Sequence, residues 1–387
     1  MDKQDIKKYA GEFVTMLTYA TASLTTIQGL DLGFFDRLPA DRPITAEEIS
    51  GQMGYDISRV ERWLRFAVAA GYVARSDEGY TLTPKGVMLR KDTPVPDLLG
   101  LHNMVSYFTT AIQYSRDVYQ KGIGLDSISK GRISRDYIPR VASQLSRDSA
   151  EFFKHCGLST GHTILDLGCG DGSVLREAVK TCPGVSATGV DINPHTLELG
   201  RKKNTEAGLQ DQVDLQVGDV TDLSRFKDGA FDWVCAVNLF HFLPMNKRER
   251  FLSEMIRISR YGIFTNQVIT NTLGTLAVDV LLSTLFTDFT GFFSQAEADE
   301  LIHKTGVSHF LFLPIIQGES RLVVLFTSKA DIPLTRVSGI SQQNRDALTK
   351  HGITTAKGLL IAEPALLAGA GVDSGAVRSD AIKVLFP

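Results

Sequence analysis

The chain has 387 residues, which exceeds the size of one typical domain and predicts two or three domains. Hydrophobic residues make up 43% of it and charged residues 22%, as in ordinary soluble globular proteins. The net charge of −3 gives no general electrostatic reason to expect nucleic acid or an anionic membrane as the main partner.

Cysteine usage and the first residues of the chain favour a cytoplasmic protein. The cysteines form no CxxC pair and no histidine-rich spacing accompanies them, so neither a zinc site nor a disulfide framework is indicated. Residues 1–9 are charged and lack the apolar core of a signal peptide. We expect four reduced thiols, at Cys156, Cys169, Cys182 and Cys235.

The longest apolar-rich segment runs from Leu273 to Phe286. It is shorter than the roughly 20 apolar residues of a membrane span, and it contains Asp279. We therefore predict a buried helix over this segment.

The first region, residues 1–155, is predicted to be mainly helical. Thr45 followed by Glu48 three residues later forms the capping box that begins a helix. A second helix is predicted over residues 58–70, where apolar residues recur at helical spacing. A short hairpin with a turn of acidic residues and glycine follows over residues 72–83. Two helices followed by a β-hairpin predict a winged helix.

A winged helix often binds DNA, through its second helix. Here that helix carries both signs of charge and no dense basic run. This mixture favours packing or dimerisation over DNA reading, which stays the alternative. Residues 98–119 continue as aromatic-rich helical sequence, suited either to the core or to the lid of a substrate pocket. The charged residues of the second helix are Arg59, Glu61, Arg62 and Arg65.

The second region, residues 156–330, alternates strands and helices. Continuous apolar strands between helices predict a parallel sheet covered on both faces, and the last two strands are predicted to be an antiparallel pair. The fold class is therefore α/β, a Rossmann-like domain of seven strands between a mainly helical N-terminal domain and a small all-α C-terminal domain. The predicted strands are residues 163–167, 185–190, 213–217, 231–237, 262–268, 309–315 and 322–326, and the helices are residues 174–180, 196–207, 247–259 and 295–304.

The strongest motif is a glycine-rich turn between the first strand and its helix. Gly168, Gly170 and Gly172 remove side chains, so a ligand can lie against the backbone at the switch point of the sheet. Dinucleotide and nucleoside binders both use such a turn, so the motif alone does not choose between them.

Three aspartates at successive strand ends narrow the choice. Asp166 precedes the glycines, where a carboxylate repels a phosphate and stabilises an ammonium. Asp191 ends the second strand about 20 residues later, where a carboxylate accepts from ribose hydroxyls. Asp219 follows the third strand and can accept from an adenine amine. Together they describe a nucleoside with a cationic arm, which matches S-adenosylmethionine better than NAD.

On these residues the chain resembles the class I S-adenosylmethionine-dependent methyltransferases. The segments at residues 31–35 and 79–86 are similar to the N-terminal domain of the small-molecule O-methyltransferases, and residues 289–291 fit the same family. The resemblance covers about residues 10 to 328. It implies a homodimer formed through the winged-helix domains, whose helices roof the pocket of a small-molecule acceptor.

The resemblance also implies which residues contact S-adenosylmethionine. The methionine end would lie on the first strand and its glycine turn, the ribose on the end of the second strand, and the adenine after the third. A backbone carbonyl after the fourth strand would add a contact. In that order the residues are Asp166, Gly168, Gly170, Asp191, Ile192, Asp219, Val220 and Asn238.

His241, just past the fourth strand, is the candidate catalytic residue. A phenol with a pKa of about 10 must lose its proton, and a histidine with a pKa near 6.5 is a suitable general base. The family places its catalytic histidine at this point, in a His-Asp-Trp-Pro-like segment. Here Phe242 stands where the Asp would be, and Gln267 stands where many members have a Glu. Packing or substrate contact is therefore the alternative role, with an acceptor that needs little deprotonation, such as a thiol or an ionised oxygen.

Residues 331–387 lie outside the usual methyltransferase and resemble a helix-hairpin-helix module. Such hairpins can hold DNA phosphates through backbone amides. The segment has 6 Lys and Arg against 5 Asp and Glu, and a balance of +1 is poor for phosphate binding. A protein contact is favoured, with the partner subunit or with another enzyme or carrier protein.

Two further functions stay open on the sequence. In the first, the winged helix and the C-terminal module both grip nucleic acid, and the Rossmann-like domain methylates or senses S-adenosylmethionine. A DNA amino-methylase is expected to carry Asn/Asp-Pro-Pro-aromatic after the fourth strand, where this chain has residues 238–241 as Asn-Leu-Phe-His. In the second, the chain keeps the fold and cofactor of the family but performs another reaction, or none.

Overall fold

The computed structural model describes residues 3–91, 93, 101–125, 153, 157–268, 273–307, 310–316, 320–326 and 332–385. By compactness the chain divides into two units, residues 1–109 and residues 110–387. The predicted domain limits near residues 155 and 330 fall outside the described residues. Within the described ranges, no helix combines the length and the apolarity that crossing a bilayer requires.

In the first unit, the first predicted helix begins at the expected cap, and the second helix and the hairpin lie within one residue of the expected bounds. Thr45 and Glu48 form the expected capping box, in which each side chain accepts from the backbone amide of the other. The core includes Phe34 stacked on Trp63, with ring centroids 4.2 Å apart. The elements are α1 (Lys3–Asp31), α2 (Phe34–Arg37), α3 (Ala46–Met53), α4 (Ile57–Ala69), β1 (Val73–Ser76), β2 (Gly79–Leu82) and α5 (Pro84–Val87).

The second unit is built on a seven-stranded sheet, and the helix α6 (Leu101–Lys121) precedes it in the chain. The strands are β3 (Thr163–Leu167), β4 (Ser186–Asp191), β5 (Val213–Val217), β6 (Phe231–Ala236), β7 (Ser259–Val268), β8 (Phe310–Ile316) and β9 (Ser320–Phe326). The helices among them are α7 (Ser173–Thr181), α8 (Pro194–Glu206), α9 (Met245–Ile258), α10 (Leu273–Leu285) and α11 (Gln295–Lys304).

The sheet confirms the predicted Rossmann-like α/β fold. Its strand order is β5-β4-β3-β6-β7-β9-β8, and the pairs among β3 to β7 are parallel. Strand β9 pairs antiparallel with both β7 and β8. The order reverses between β3 and β6, so the crevice beyond the carboxyl ends of these strands is where an α/β sheet binds its ligand.

Both faces of the sheet are buried, because successive side chains of each strand point to opposite sides. Ile164 of β3 joins one buried cluster with Trp233, and Leu165 joins the other with Val234. The first cluster includes residues of α7 and α8, and the second includes residues of α9 and α11. The helices on both faces explain why the strands are continuous apolar runs.

Helix α10 corrects the prediction of a buried helix over residues 273–286. Leu273, Leu276 and Val280 are exposed by 74%, 50% and 50%, whereas Leu282 and Leu285 are buried. The exposed side of α10 is itself apolar. The sequence could not reveal which side is exposed, because polarity does not distinguish the exposed side from the buried one.

The C-terminal residues form a helical module that packs on the same unit. The module and one face of the sheet share a single buried cluster. A Cβ at Gly157 would lie 2.6 Å from Ile382 Cδ1, and Ser379 Oγ donates to Ser159 Oγ at 3.3 Å. Its helices are α12 (Gln342–Lys350), α13 (Ala356–Ile361), α14 (Pro364–Gly369) and α15 (Ser374–Leu385).

These contacts place α15 against the residues that lead into the amino end of β3. A strand of this length spans about 16 Å, since each residue adds about 3.3 Å. The module therefore lies at the opposite end of β3 from the glycine turn.

We predict that the module stabilises the whole second unit. Ile382 is 1% exposed within the shared cluster, so Ile382→Ala should lower the free energy of unfolding by about 2–4 kcal/mol. Ile361→Ala, in the same module but 37% exposed, is the matched control and should cost less. Urea denaturation of both variants measures the difference, and equal effects would contradict a packed interface.

Candidate functional site

The glycine turn after β3 bends directly onto the end of β4. The amides of Gly168 and Cys169 both donate to the Val190 carbonyl, at 2.7 and 3.2 Å. Gly168 has a φ of 72°, and a Cβ there would lie 2.7 Å from the Leu239 side chain. Only glycine combines this backbone conformation with so close an approach. The turn therefore leaves backbone, not side chains, at the edge of the crevice.

Asp166, within β3 just before the turn, carries an unusual buried carboxylate. It is 1% exposed, and its Oδ1 has no hydrogen-bond partner among the described residues. Burial, and then the nearby Asp191 carboxylate, raise the pKa of Asp166 to about 7, although the Cys235 thiol donates a hydrogen bond to it. A buried acceptor without a donor is rare in proteins, so a missing donor such as an ammonium fits this position.

Asp191 closes β4 and holds the turn with its side chain. Its Oδ2 accepts from the Gly170 amide at 2.9 Å, and its Oδ1 accepts from the Asn193 amide at 2.8 Å. Burial raises the pKa of Asp191, against the effect of these amides. A carboxylate has about four lone-pair sites, so capacity remains for ribose hydroxyls. Ile192, the next residue, exposes 54% of its surface at this edge.

Asp219 and Val220 lie just past the end of β5, the strand next to β4. The Gly218 amide donates to the Asp191 carbonyl at 2.9 Å, which ties the two strand ends together. Asp219 is exposed, and its Oδ1 accepts from the Thr221 amide at 2.8 Å. The structure thus brings all three aspartates to the same edge, on three neighbouring strands.

Asn238, two residues past β6, is the only residue other than glycine with a positive φ, 56°, in the part of the chain that the structure describes. Such a conformation is sparsely populated for residues with a side chain, and it tends to occur at functional sites. It turns the chain sharply between β6 and the segment that carries His241.

His241 lies in a short 3₁₀ turn, Phe240–Phe242, and is 8% exposed. Its ring centroid lies 4.5 Å from that of Phe242, 5.8 Å from Phe289 and 5.0 Å from Phe292. No described residue hydrogen-bonds its ring nitrogens. Burial, and then the positive charge of Arg248, lower the pKa of His241 to about 3, so the imidazole is neutral.

The acid that the family often places near this histidine is replaced by Gln267. Its backbone lies in β7, opposite Arg321 of β9, and its side chain is outside what the structure describes. No described carboxylate therefore orients His241. The role of this histidine as a base stays a prediction.

The sequence interpretation missed the anchor of the glycine turn, Asp171. Its Oδ2 accepts from Lys203 at 2.7 Å and from Arg176 at 3.1 Å, and Arg176 also donates to Asn204 at 3.0 Å. Although burial opposes ionisation, these partners hold the pKa of Asp171 below its usual value. The signal was present, since Arg176 follows Asp171 by a little more than one helical turn.

Comparison with known proteins agrees with this geometry. Residues 164–262 match the family model of a methyltransferase domain. This segment is therefore a methyltransferase domain, similar to those of the class I S-adenosylmethionine-dependent methyltransferases. The matched segment runs from β3 through the glycine turn to β7, so it contains every predicted contact to the cofactor.

Individual relatives of this methyltransferase are distant. The methyltransferase GfsG of Streptomyces halstedii is 25% identical over 211 residues, which are 54% of this chain and 66% of GfsG. The chain spans two thirds or less of the length of the curated relatives it matches.

Solved structures share the fold over most of the chain. The mitomycin 7-O-methyltransferase MmcR is 20% identical, with a TM-score of 0.65, and the match covers 84% of this chain and 99% of MmcR. Human N-acetylserotonin methyltransferase, solved with S-adenosylmethionine, is 17% identical, with a TM-score of 0.60 and coverage of 84% and 98%.

The residues present fit S-adenosylmethionine, the cofactor of this class. The orphaned Asp166 oxygen supplies an acceptor for the ammonium, and the glycine turn leaves room for the methionine arm. Asp191 supplies oxygens where the resemblance predicts the ribose, with the apolar Ile192 beside it.

We predict that Asp191→Ala weakens binding of S-adenosylhomocysteine by about 1–3 kcal/mol, because hydrogen bonds to a charged group are lost. Asp214→Ala, at an exposed position of β5, is the matched control and should bind as the wild type does. Isothermal titration calorimetry measures both. An unchanged affinity in the Asp191 variant would contradict the ribose assignment.

We also predict that binding is linked to a proton on Asp166. With a pKa of about 7, this carboxylate is protonated in acid and ionised above neutral pH, and only the ionised form attracts the ammonium. The affinity for S-adenosylhomocysteine should therefore rise as the pH rises from about 5.5 to about 8, by at most roughly tenfold per unit.

Two controls isolate this effect. Asp166→Asn should flatten the pH dependence, and any remaining slope then belongs to Asp191. In the wild type, 5′-methylthioadenosine, which lacks the ammonium, should bind with the same flat profile. If the affinity of the Asp166→Asn variant changed with pH as steeply as that of the wild type, the pairing of Asp166 with the ammonium would be refuted.

Proposed function

We propose that this methyltransferase transfers the methyl group of S-adenosylmethionine to a hydroxyl or thiol of a small, largely apolar secondary metabolite. The observation that carries the proposal is the phenylalanine-lined histidine just past β6, next to the strand ends that fit the cofactor. Aromatic surroundings of this kind suit an uncharged ring system rather than a polar polymer. The names of GfsG and the mitomycin enzyme MmcR support a natural-product acceptor.

The chemistry requires alignment more than acid–base power. The acceptor attacks the methyl carbon in line with the carbon–sulfur bond, whose electron pair returns to sulfur. Holding the two reactants in that line and excluding water supplies much of the acceleration. No metal is needed for this displacement.

His241 is the candidate general base of the reaction. A neutral imidazole can accept a proton, but a base with a pKa of about 3 accepts one poorly from a weakly acidic alcohol. The proposal therefore favours an acidic acceptor, a phenol-like hydroxyl or a thiol.

We further propose a homodimer formed through the first unit. Helix α1 is 29 residues long and exposes large apolar side chains along its length. So much exposed apolar surface on one helix is typical of an interface. The exposed residues are Tyr9, Phe13, Val14, Met16, Leu17, Tyr19 and Leu24.

The function is tested by incubating the protein with S-adenosylmethionine and a panel of small phenols and thiols, and measuring S-adenosylhomocysteine. We expect product with at least one of them and none with duplex DNA. His241→Ala should lower turnover by about 10²-fold or more if the histidine is a base, with cofactor affinity unchanged. His303→Ala, at an exposed position, is the control. Stimulation by DNA alone would overturn the proposal, and wild-type turnover in the His241 variant would remove it as base.

A further inference from the structure

Arg248 is a buried cation that forms no ion pair with any described residue. It lies in the first turn of α9, is 2% exposed, and stacks over Phe293 with 4.4 Å between Cζ and the ring centroid. Among the described residues, no carboxylate oxygen lies within 4 Å of it. Asp279 and Glu297 act on it only from a longer distance. Its Nη1 has no hydrogen-bond partner there either.

The other nitrogens of Arg248 join two separate segments. Nε donates to the Leu243 carbonyl at 3.2 Å, just after the turn that carries His241. Nη2 donates to Thr290 Oγ1 at 2.7 Å and to the Gly291 carbonyl at 2.9 Å. One guanidinium therefore fixes the distance between the His241 turn and residues 290–291.

Thr290 completes this clamp. Its amide donates to the His241 carbonyl at 2.8 Å, and its hydroxyl lies 2.8 Å from the Leu243 carbonyl. On the other side, the Phe292 amide donates to Asp279 Oδ1 at 2.7 Å. The clamp thereby fixes where Phe289 and Phe292 pack against the imidazole.

A buried cation that no carboxylate within 4 Å neutralises is unfavourable, even where its hydrogen bonds hold the surrounding chain in place. Arg248 lies among aromatic side chains, and none of the described carboxylates hydrogen-bonds His241. The positive charge of Arg248 favours a negatively charged group that binds next to it. The acceptor, once it has lost its proton, is such an anion.

We propose that Arg248 is the positioning residue of the acceptor side, which clamps the aromatic wall around His241 and favours the ionised form of the acceptor. This inference rests on the proposed function. The acceptor's O–H or S–H gives its proton to the neutral imidazole of His241, which passes it to solvent, and the acceptor's electron pair forms the bond to the methyl carbon. The carbon–sulfur pair stays on sulfur, which becomes the neutral sulfide of S-adenosylhomocysteine.

The charge is tested on the protein itself, by nitrogen NMR titration of the His241 imidazole in ¹⁵N-labelled full-length protein. In Arg248→Met and Arg248→Gln, the pKa of His241 should rise by an amount on the order of one unit, because the repelling cation is gone. Arg248→Lys keeps the positive charge, so the pKa of His241 should stay low. Arg250→Met, at an exposed position of the same helix, is the matched control. An unchanged pKa of His241 in both neutral variants would overturn the proposed effect of the Arg248 charge.

The clamp is tested by amide hydrogen exchange. Arg248→Gln and Arg248→Lys both lose the guanidinium that bonds the two segments, so the amides of Thr290 and Phe292 should exchange faster. Arg250→Met should leave these amides protected. Wild-type protection in all variants would overturn the clamp. Affinity for S-adenosylhomocysteine, expected to stay within twofold, separates these effects from loss of the fold.

The effect of Arg248 on the acceptor is tested with whichever phenol or thiol gives product in the panel assay. The acid limb of the pH–rate profile should lie at higher pH in Arg248→Gln than in the wild type, and Arg248→Lys should restore it. An identical profile in Arg248→Gln would overturn the proposal. If no acceptor is methylated while the NMR shift occurs, the proposed function fails and the electrostatic action of Arg248 on His241 stands.

Discussion

The site depends on the hydrogen bonds that bind the glycine turn to the end of β4. Two successive amides donate to the Val190 carbonyl, and the Gly170 amide donates to the Asp191 carboxylate. A side chain at Gly168 would meet Leu239, so the same contact also fixes the start of the segment that carries His241. One bend in the backbone therefore positions both the residues predicted to contact the cofactor and the segment that carries His241. Asp171, held by Lys203 and Arg176, keeps the far end of that bend in place.

The two sides of the site differ in charge, and the difference suits the reaction. On the cofactor side, burial raises the pKa values of Asp166 and Asp191, so these carboxylates gain from a cationic arm. On the acceptor side, burial and Arg248 keep His241 neutral. S-adenosylmethionine brings a positive charge to the side that carries these acids. Under the proposed function, its acceptor loses a proton on the other side, near Arg248.

The sequence was sufficient wherever structure follows from local chemistry. Continuous apolar runs predicted all seven strands, because a strand covered on both faces needs no polar residues. The glycines and the three aspartates predicted the cofactor edge, because parallel strands bring their carboxyl ends together. The sequence was insufficient where contacts between residues far apart in the chain determine the structure. The exposed side of α10, the Arg248–Thr290 clamp and the packing of Gly157 on Ile382 each join segments far apart in the chain, and no spacing rule connects them. The pKa of His241 likewise depends on Phe289 and Phe292 folding over it.

In the C-terminal module, the chain's own carboxylate occupies the start of the last helix. Backbone amides that begin a helix can hold a phosphate, because the helix dipole favours an anion there. At the start of α15 that position is taken by the chain's own carboxylate, because Asp373 Oδ1 accepts from the Ala376 amide at 2.7 Å. A phosphate there would meet a negative charge and find this amide already paired. The buried side of α15 instead packs against the residues before β3, and its buried Arg378 donates to the carbonyls of Leu359 and Ala362 within the module. These contacts make the module a support for the sheet, at the end farthest from the chemistry.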